Sequence, residues 1–215
     1  MTQALRDALV ATARRMSDLG LAPGTTGNVS VRAARGFLVT PSGMAYDDLR
    51  GDDAVAIDDR GEVRPGQRVP SSEWQLHRDV YAARPDAGAI VHTHSLFCTS
   101  VSCLRQPIPA IHYMVVLAGG DDIPCADYAT FGTAELAANV VRALGAGRAC
   151  LMANHGMVAL GDTLAAALRL AADIETLAAQ YWHARQLGAP VVLPADELAR
   201  VRAQFAVYGQ RKPRR

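Results

Sequence analysis

The chain has 215 residues, of which 50% are hydrophobic and 20% are charged, and its formal net charge is +1. This composition is typical of one compact globular domain and argues against disorder. A net charge so close to zero provides no overall field that would draw the chain to nucleic acid or to a membrane. The N-terminus lacks the apolar core of a signal peptide, and no apolar run has membrane-spanning length, so we expect a cytoplasmic protein.

The N-terminal segment predicts a helix followed by a loop with possible anion-binding chemistry. Gly20 can end the helix in a left-handed cap. In the next segment, Gly24-Thr25-Thr26-Gly27-Asn28, two glycines allow backbone N–H groups to turn toward an anion, and the polar side chains add donors. Such a loop could cradle a phosphate, although the loop alone favours an ordinary turn that enters a strand at 29–32. The apolar stripe of the helix consists of Leu5, Ala8, Leu9, Thr12, Met16 and Leu19.

Two further turns are rich in hydroxyl groups and glycine. Thr40-Pro41-Ser42-Gly43 follows a predicted strand at 37–39, and Pro70-Ser71-Ser72 opens the next helix. Three loops of this kind are what a phosphate pocket assembled from distant parts of a chain requires. Ser72 is also a candidate N-cap of the helix, and both interpretations can hold because a helix N-terminus attracts phosphate.

The clearest chemical signal is a set of three histidines. His92 and His94 occur in an apolar run that predicts a buried strand, and residues two apart in a strand project to the same face. His155 lies in Asn154-His155-Gly156, between two apolar runs that predict a hairpin with the histidine at its turn. Three neutral imidazoles leave one position of a tetrahedral Zn²⁺ open, as in catalytic sites, and Glu73 is then the natural acid or base beside the metal.

These histidines also have a simpler interpretation. A histidine in an apolar run is more often a hydrogen-bonded core residue, and His-x-His alone is a weak signal. That interpretation must also account for the distant His-Gly turn, so the metal site is favoured. Trp74, His77 and Tyr81 share one side of the helix after Glu73, which favours packing roles and keeps His77 out of the metal site. The cysteines show no Cys-x-x-Cys spacing, which gives no support to a cysteine-based zinc site.

The remaining segments complete a mixed pattern of helices and short strands. We expect a strand at 111–117, a helix at 134–144 capped by Thr133, a long helix at 162–187 and a last helix at 195–208, followed by a mobile basic tail. The acidic pairs at 52–53 and 58–59 indicate solvated surface. Strands in hairpin-like pairs with helices around them predict a three-layer α/β/α domain with a predominantly antiparallel central sheet, and no linker or repeat divides residues 1–215.

Six segments, in the same order and with nearly the same spacing, resemble the class II aldolase/adducin family from the first helix to the last. They are Gly24-Thr25-Thr26-Gly27-Asn28-Val29-Ser30, Val39-Thr40-Pro41-Ser42-Gly43, Pro70-Ser71-Ser72-Glu73-Trp74, Val91-His92-Thr93-His94, Ile108-Pro109-Ala110-Ile111-His112-Tyr113 and Ala129-Thr130-Phe131-Gly132-Thr133.

The resemblance implies roles for individual residues. One Zn²⁺ per subunit would be held by His92, His94 and His155, with Glu73 as catalytic acid or base and as a fourth ligand when substrate is absent. Tyr113 would reach into the active site of a neighbouring subunit of a cyclic homotetramer and supply a proton near the aldehyde. The implied substrate-binding residues are Gly27, Asn28, Ser42, Gly43, Ser71, Ser72, Phe131 and Tyr208.

The implied activity is that of a zinc-dependent aldolase, with Mn²⁺ and Co²⁺ as alternative metals. It would reversibly cleave a phosphorylated deoxy-ketose, such as L-fuculose 1-phosphate, into dihydroxyacetone phosphate and a small aldehyde such as L-lactaldehyde. Relatives of the same fold act as 4-epimerases, decarboxylases, dehydratases and aldolases of other specificity, and adducin-type domains are non-catalytic scaffolds. Zinc ligands alone would also permit a hydrolase.

Overall fold

A computed structural model of the protein describes residues 2–208, so the predicted basic tail, 211–215, lies outside the described residues. Within the described part, no helix is both long and apolar enough for a membrane crossing. The helices are α1 (Gln3–Asp18), α2 (Trp74–Ala83), α3 (Leu96–Ser102), α4 (Ala134–Leu144), α5 (Leu164–Leu187) and α6 (Ala195–Phe205). The strands are β1 (Asn28–Arg32), β2 (Phe37–Val39), β3 (Val55–Ile57), β4 (Ala89–Thr93), β5 (Cys125–Ala126), β6 (Ala149–Met152) and β7 (Gly156–Gly161).

The strands form one mixed sheet with the order β3-β2-β1-β4-β7-β6-β5. Five of its six pairings are antiparallel, and β5 pairs with β6 in parallel. The sheet is therefore mixed rather than predominantly antiparallel as predicted, and the predicted elements did not include β5. That strand has only two residues, too few for a periodic pattern, and its pairing depends on a distant part of the chain.

Hydrophobic side chains of the sheet belong to two clusters, and successive residues of β4 alternate between them. Val91 belongs to a cluster with Leu9 of α1 and Ile174 of α5. Its neighbour Ile90 belongs to a second cluster with Val80 of α2 and with residues of α4. Because successive side chains of a strand point to opposite faces, β4 is buried on both faces, which explains its nearly continuous apolar sequence.

The predicted strand at 111–117 is wrong. This segment instead contains a 3₁₀-helix, Tyr113–Ala118, whose first turn is capped by His112, since the backbone N–H of Met114 donates to His112 Nδ1 at 3.2 Å. Gly119, with φ of 86°, ends the helix. Val115 and Val116 are buried, and a short apolar run buried in this way does not by itself distinguish a strand from a helical turn.

Candidate active site and metal centre

Four side chains from three parts of the chain meet at one end of the sheet. Glu73 stands at the N-cap position of α2, His92 lies in β4, His94 follows that strand, and His155 lies in the turn between β6 and β7. One ligand atom from each residue lies within 4.8 Å of the others. Since β7 pairs with β4, the hairpin turn is carried to the end of β4 that bears the two other histidines. The predicted grouping of these four residues is therefore present in the structure.

The imidazole nitrogens face the Glu73 carboxylate at short range. His92 Nε2 lies 3.0 Å from His94 Nε2 and 3.0 Å from Glu73 Oε2. His155 Nε2 lies 3.4 Å from Glu73 Oε1. His92 Nδ1 is 2.9 Å from the carbonyl oxygen of Met157, which can only accept, so Nδ1 carries the proton. In the neutral ring, Nε2 is then unprotonated and presents its lone pair to the other three residues, as a metal ligand must.

For His94 and His155, burial and mutual repulsion favour the neutral form that metal binding requires. Burial lowers the pKa of His94 to about 3 and that of His155 to about 4, and the charges of neighbouring histidines add to both effects. Burial alone would raise the pKa of Glu73, but interaction with His92 outweighs it and lowers the value. Burial likewise opposes protonation of His92, but Glu73 raises the pKa of that ring. Neutral His94 and His155 beside an ionised Glu73 suit a divalent metal ion, and a bound ion would replace the proton that Glu73 favours on His92.

Glu73 retains unused capacity as a ligand or base. Its side chain is buried, and Oε1 makes no hydrogen bond to any of the described residues. A buried carboxylate oxygen without a hydrogen bond is costly unless another partner, such as a cation or a substrate proton, occupies the site. The group formed by Glu73 and the three histidines could therefore hold a metal ion.

Glu175 supports the segment that follows His94. This carboxylate of α5 accepts hydrogen bonds from Ser95 Oγ at 2.7 Å, from the backbone N–H of Phe97 at 2.8 Å and from that of Cys98 at 2.9 Å. It therefore satisfies N–H groups at the start of α3, where Ser95 occupies the N-cap position without making a cap hydrogen bond of its own. Sequence reasoning missed Glu175 because it lies 80 residues from Ser95 in an alanine-rich helix.

A cavity of about 340 Å³ opens beside this centre. Glu73, His94 and His155 line part of it, and the three loops rich in glycine and hydroxyl groups line another part. The predicted substrate-binding residues that line it are Gly27, Asn28, Ser42, Gly43, Ser71, Ser72 and Phe131. Tyr128 and Asn154 also line the cavity, and the sequence offered no signal that set Tyr128 apart from other surface aromatics.

Two loop residues are constrained by close contacts near the centre. Gly27 has φ of 73°, and a Cβ atom there would lie 2.6 Å from the carbonyl oxygen of His92, so only glycine fits without a shift of the backbone. Asn28 Nδ2 donates to Glu73 Oε2 at 3.1 Å, which places this side chain on the carboxylate. Ser72 is not the N-cap of α2, because that position falls on Glu73, whose backbone N–H is 3.3 Å from Ser71 Oγ.

Tyr113 and Tyr208 lie outside this cavity. Both line a separate groove with Phe205 of α6, which stands 6.1 Å from the Tyr113 ring and 6.0 Å from the Tyr208 ring between centroids. Tyr113 is 46% exposed and Tyr208 83% exposed. Within a single chain, therefore, neither tyrosine contributes to the cavity beside Glu73.

The chain belongs to the class II aldolase/adducin family. The model of the Class II Aldolase and Adducin N-terminal domain matches residues 7–182, so the family predicted from the motifs is confirmed. A 5-methylthioribulose-1-phosphate/5-deoxyribulose-1-phosphate aldolase of Rhodospirillum rubrum is 54% identical over 206 residues, covering 96% of this chain and 93% of the relative. An L-fuculose phosphate aldolase of Escherichia coli (strain K12) is 47% identical over 204 residues, covering 94% of each chain.

A solved structure of an L-fuculose 1-phosphate aldolase has the same α/β fold. It superimposes with a TM-score of 0.92 at 38% sequence identity and covers 96% of this chain and 98% of its own. Members of this family with such names are lyases that act on phosphorylated sugars, and class II aldolases are metal-dependent.

Proposed function

We propose that this protein is a metal-dependent aldolase that cleaves a phosphorylated deoxy-ketose into dihydroxyacetone phosphate and a short aldehyde. One observation carries the proposal. The three imidazoles and Glu73 converge at one part of a cavity, and three loops rich in glycine and hydroxyl groups line another part. The imidazoles and Glu73 suit proton transfer and charge stabilisation, and the three loops suit the binding of a phosphate.

His92, His94 and His155 would hold Zn²⁺, Mn²⁺ or Co²⁺, one ion per chain, with Glu73 as a further ligand in the absence of substrate. When bound, the ion supplies Lewis-acid stabilisation of negative charge on the substrate oxygens. The lowered pKa values of His94 and His155, and the Nδ1 hydrogen bond that turns His92 Nε2 toward the site, support this assignment.

Glu73 is the acid and base of the proposed reaction. In the direction of condensation it removes a proton from the hydroxymethyl carbon of dihydroxyacetone phosphate, leaving an enediolate. That carbon attacks the aldehyde carbonyl, and Tyr113 of a neighbouring subunit donates a proton to the alkoxide that forms. Cleavage is the reverse, so the C3–C4 bond breaks and Glu73 returns its proton to C3. Glu73 is buried, so its carboxylate is largely shielded from bulk water.

The loops bind the phosphate in this proposal, and exposed aromatic residues contact the aldehyde. Backbone N–H groups near Gly27 and Gly43, together with the hydroxyl groups of Ser42, Ser71 and Ser72, would donate to the phosphate oxygens. Phe131 and Tyr128 stand at the open side of the cavity, 65% and 52% exposed, where they can contact the apolar end of an aldehyde. Tyr208 would close over the site.

The quaternary arrangement belongs to the same proposal. Tyr113 is half exposed and points away from the cavity of its own chain, so a role in catalysis requires another subunit. We therefore include in the proposal a cyclic homotetramer with active sites at subunit contacts. The proposal also includes a three-layer α/β/α domain and a cytoplasmic location. A scaffold function like that of adducin would not require the assembled Glu73 and histidine set.

The names of relatives support a proposal for the aldehyde preference. The relatives that match at 54% and 47% identity are named for 5-methylthioribulose 1-phosphate, 5-deoxyribulose 1-phosphate and L-fuculose phosphate. Cleavage of each ketose 1-phosphate between C3 and C4 gives dihydroxyacetone phosphate, with methylthioacetaldehyde, acetaldehyde or lactaldehyde as the second product. We propose that this protein accepts ketose 1-phosphates of this group.

An assay of dihydroxyacetone phosphate release tests the proposal. The purified protein, loaded with Zn²⁺, Mn²⁺ or Co²⁺, is given each of the three ketose phosphates, and the product is reduced by a coupled NADH-dependent dehydrogenase. We expect release from at least one substrate, which a chelator abolishes. Failure with all three substrates, in protein shown to contain stoichiometric metal, would exclude this aldolase activity.

A further inference from the structure

A chain of buried hydrogen bonds runs from Glu73 into the interior. Asn28 Nδ2 lies 3.1 Å from Glu73 Oε2, and Asn28 Oδ1 contacts His77 Nε2. His77 Nδ1 lies 2.6 Å from Ser30 Oγ, which lies 2.9 Å from the hydroxyl oxygen of Tyr81. All five residues are buried, and Ser30 and His77 are 0% exposed.

Local geometry explains how five residues from two elements come together. Glu73, His77 and Tyr81 are spaced four residues apart, so they follow one face of α2 from its N-cap position. Asn28 and Ser30 are two residues apart in β1 and therefore project to the same face of the sheet. Asn28 therefore bridges Glu73 and His77, and Ser30 bridges His77 and Tyr81.

The chemistry of the partners fixes the direction of every hydrogen bond. An ionised Glu73 only accepts, so Asn28 presents its NH₂ group to Glu73 and its carbonyl oxygen to His77. That oxygen requires a proton on His77 Nε2, and in a neutral ring Nδ1 must then accept from the Ser30 hydroxyl. The Ser30 oxygen in turn accepts from Tyr81. Burial lowers the pKa of His77 to about 3, in agreement with a neutral ring.

We propose that His77 is a positioning residue that, through Asn28, holds the Glu73 carboxylate in the orientation needed for proton transfer. The proposal rests on the proposed function, in which Glu73 is the acid and base. Without the His77 N–H, the Asn28 amide is free to rotate and turn its oxygen toward Glu73 Oε2, which repels the carboxylate. Every donor in this series of hydrogen bonds points toward Glu73, so the series also stabilises the negative charge of Glu73 cooperatively.

The competing interpretation is that these hydrogen bonds only join β1 to α2. Removal of a purely structural hydrogen bond lowers the free energy of unfolding and leaves the rate of proton transfer in the folded protein unchanged. A positioning role lowers that rate in protein that is folded and fully loaded with metal. The relevant rate is the exchange of the hydroxymethyl proton of dihydroxyacetone phosphate with D₂O, which needs no aldehyde.

Three variants separate these interpretations. His77→Phe keeps a ring but removes both nitrogens, and we expect proton exchange to slow by about 10- to 100-fold, the range seen when a partner behind a functional ligand is lost. His77→Gln places an amide N–H near the position of Nε2 and should recover most of that loss. Ser30→Ala removes only the hydroxyl that determines the ring tautomer, and should slow exchange by several-fold.

Ser102→Ala is the matched control for Ser30→Ala. Ser102 is equally buried, and its hydroxyl donates to the Thr99 carbonyl at 2.8 Å, away from Glu73. We expect the wild-type exchange rate in Ser102→Ala. Metal content and the KM for dihydroxyacetone phosphate, measured for every variant, should stay near wild-type values, so that the loss appears in kcat.

Neutron diffraction from crystals of the deuterated wild-type protein provides a readout independent of activity. We expect deuterium on His77 Nε2 and none on Nδ1. Deuterium on Nδ1 alone, or equal exchange rates in wild type and His77→Phe, would overturn the role of His77 while leaving the aldolase proposal intact. Absence of any exchange in metal-loaded wild-type protein would instead overturn the proposed function, and the role of His77 with it.

Discussion

His92 donates a hydrogen bond of 2.9 Å from Nδ1 to the backbone carbonyl of Met157. This carbonyl belongs to β7, which pairs with the strand that carries His92. The ring orientation is therefore set by the sheet, and Nε2 faces the site before any ligand binds. Such preorganisation reduces the cost of assembling a metal site, because one of its ligands loses no rotational freedom on binding.

Replacement of His94 by Ala should abolish both metal binding and activity while the fold is retained. His94 follows the end of β4 and is partly exposed to the cavity, so its loss removes one ligand without opening the core. Metal content measured by mass spectrometry after dialysis checks this expectation. His183→Ala, at an exposed histidine of α5, is the control, and stoichiometric metal in His94→Ala would remove His94 from the ligand set.

Glu73→Gln should retain the fold but lose most of the turnover. The amide has nearly the size of the carboxylate but cannot accept a proton, and loss of a general base typically costs about 10²–10⁴-fold. Exchange of the hydroxymethyl proton of dihydroxyacetone phosphate, followed by NMR in D₂O, isolates this step from aldehyde addition. Glu135→Gln, at an exposed position of α4, should exchange at the wild-type rate. A wild-type rate in Glu73→Gln would mean that another group is the base.

Glu175→Gln should weaken metal binding although Glu175 is not one of the candidate metal ligands. The amide oxygen accepts more weakly than the carboxylate that now receives three hydrogen bonds at the start of α3. We expect a loss of about 1–2 kcal/mol in the free energy of unfolding and about 10-fold weaker metal retention against a chelator, because the segment after His94 loosens. Asp173→Asn on the same helix is the control, and unchanged chelator competition in Glu175→Gln would show that α3 does not position His94.

Mixed oligomers test the assignment of Tyr113. If Tyr113 completes the site of a neighbouring subunit, Tyr113→Phe and Glu73→Gln homo-oligomers should both be nearly inactive. Co-refolding of the two variants should restore part of the activity, because some sites then combine an intact Glu73 with an intact Tyr113. Mass spectrometry must confirm that mixed species form. Their presence without recovered activity would place Tyr113 in the site of its own chain or outside the chemistry.

Asp53 should contribute to stability in a pH-dependent way. Its pKa is lowered by the backbone N–H of Arg50 at 2.9 Å and by Arg68 at 2.8 Å. Since the folded pKa lies below the ordinary value of about 3.9, this contribution is complete above that value and disappears as the pH falls through the lowered pKa. Arg68 is 60% exposed, so we expect Asp53→Asn to cost about 1 kcal/mol or less at pH 7. Urea unfolding at pH 7 and pH 3 checks this, and an equal cost at both would contradict it.

Much of the candidate site could be predicted because its residues carry local patterns. The two-residue spacing of His92 and His94 and the His-Gly turn at His155 specify a shared sheet end before any tertiary contact is known. The cap and end of α4 likewise follow from Thr133, whose hydroxyl accepts from Leu136 N–H at 3.3 Å, and from Gly145.

What could not be predicted depends on contacts between distant segments. Glu175 became part of the site only through the packing of α5 against α3, and β5 through a parallel pairing. The charge pattern predicted Asp53 at the solvated surface, yet it is largely buried against Arg68. The helical pattern predicts a packing role for His77 because it does not reveal partners in β1. The four-residue spacing of Glu73, His77 and Tyr81 is nevertheless a signal that they share one helix face.

The backbone contact between Gly27 and His92 fixes the distance between the first loop and the histidines. Asn28 and His92 are cross-strand partners, and Gly27 lies against the His92 carbonyl, so the distance from the first loop to the histidines is a property of the sheet. Phe131 and Tyr128 lie on loops and are exposed. If the proposed function holds, mutations can therefore remodel the far end of the cavity while the span from phosphate to reacting carbon stays constant. Enzymes built in this way should diversify by changing the aldehyde and keeping the three-carbon phosphate half of their substrates.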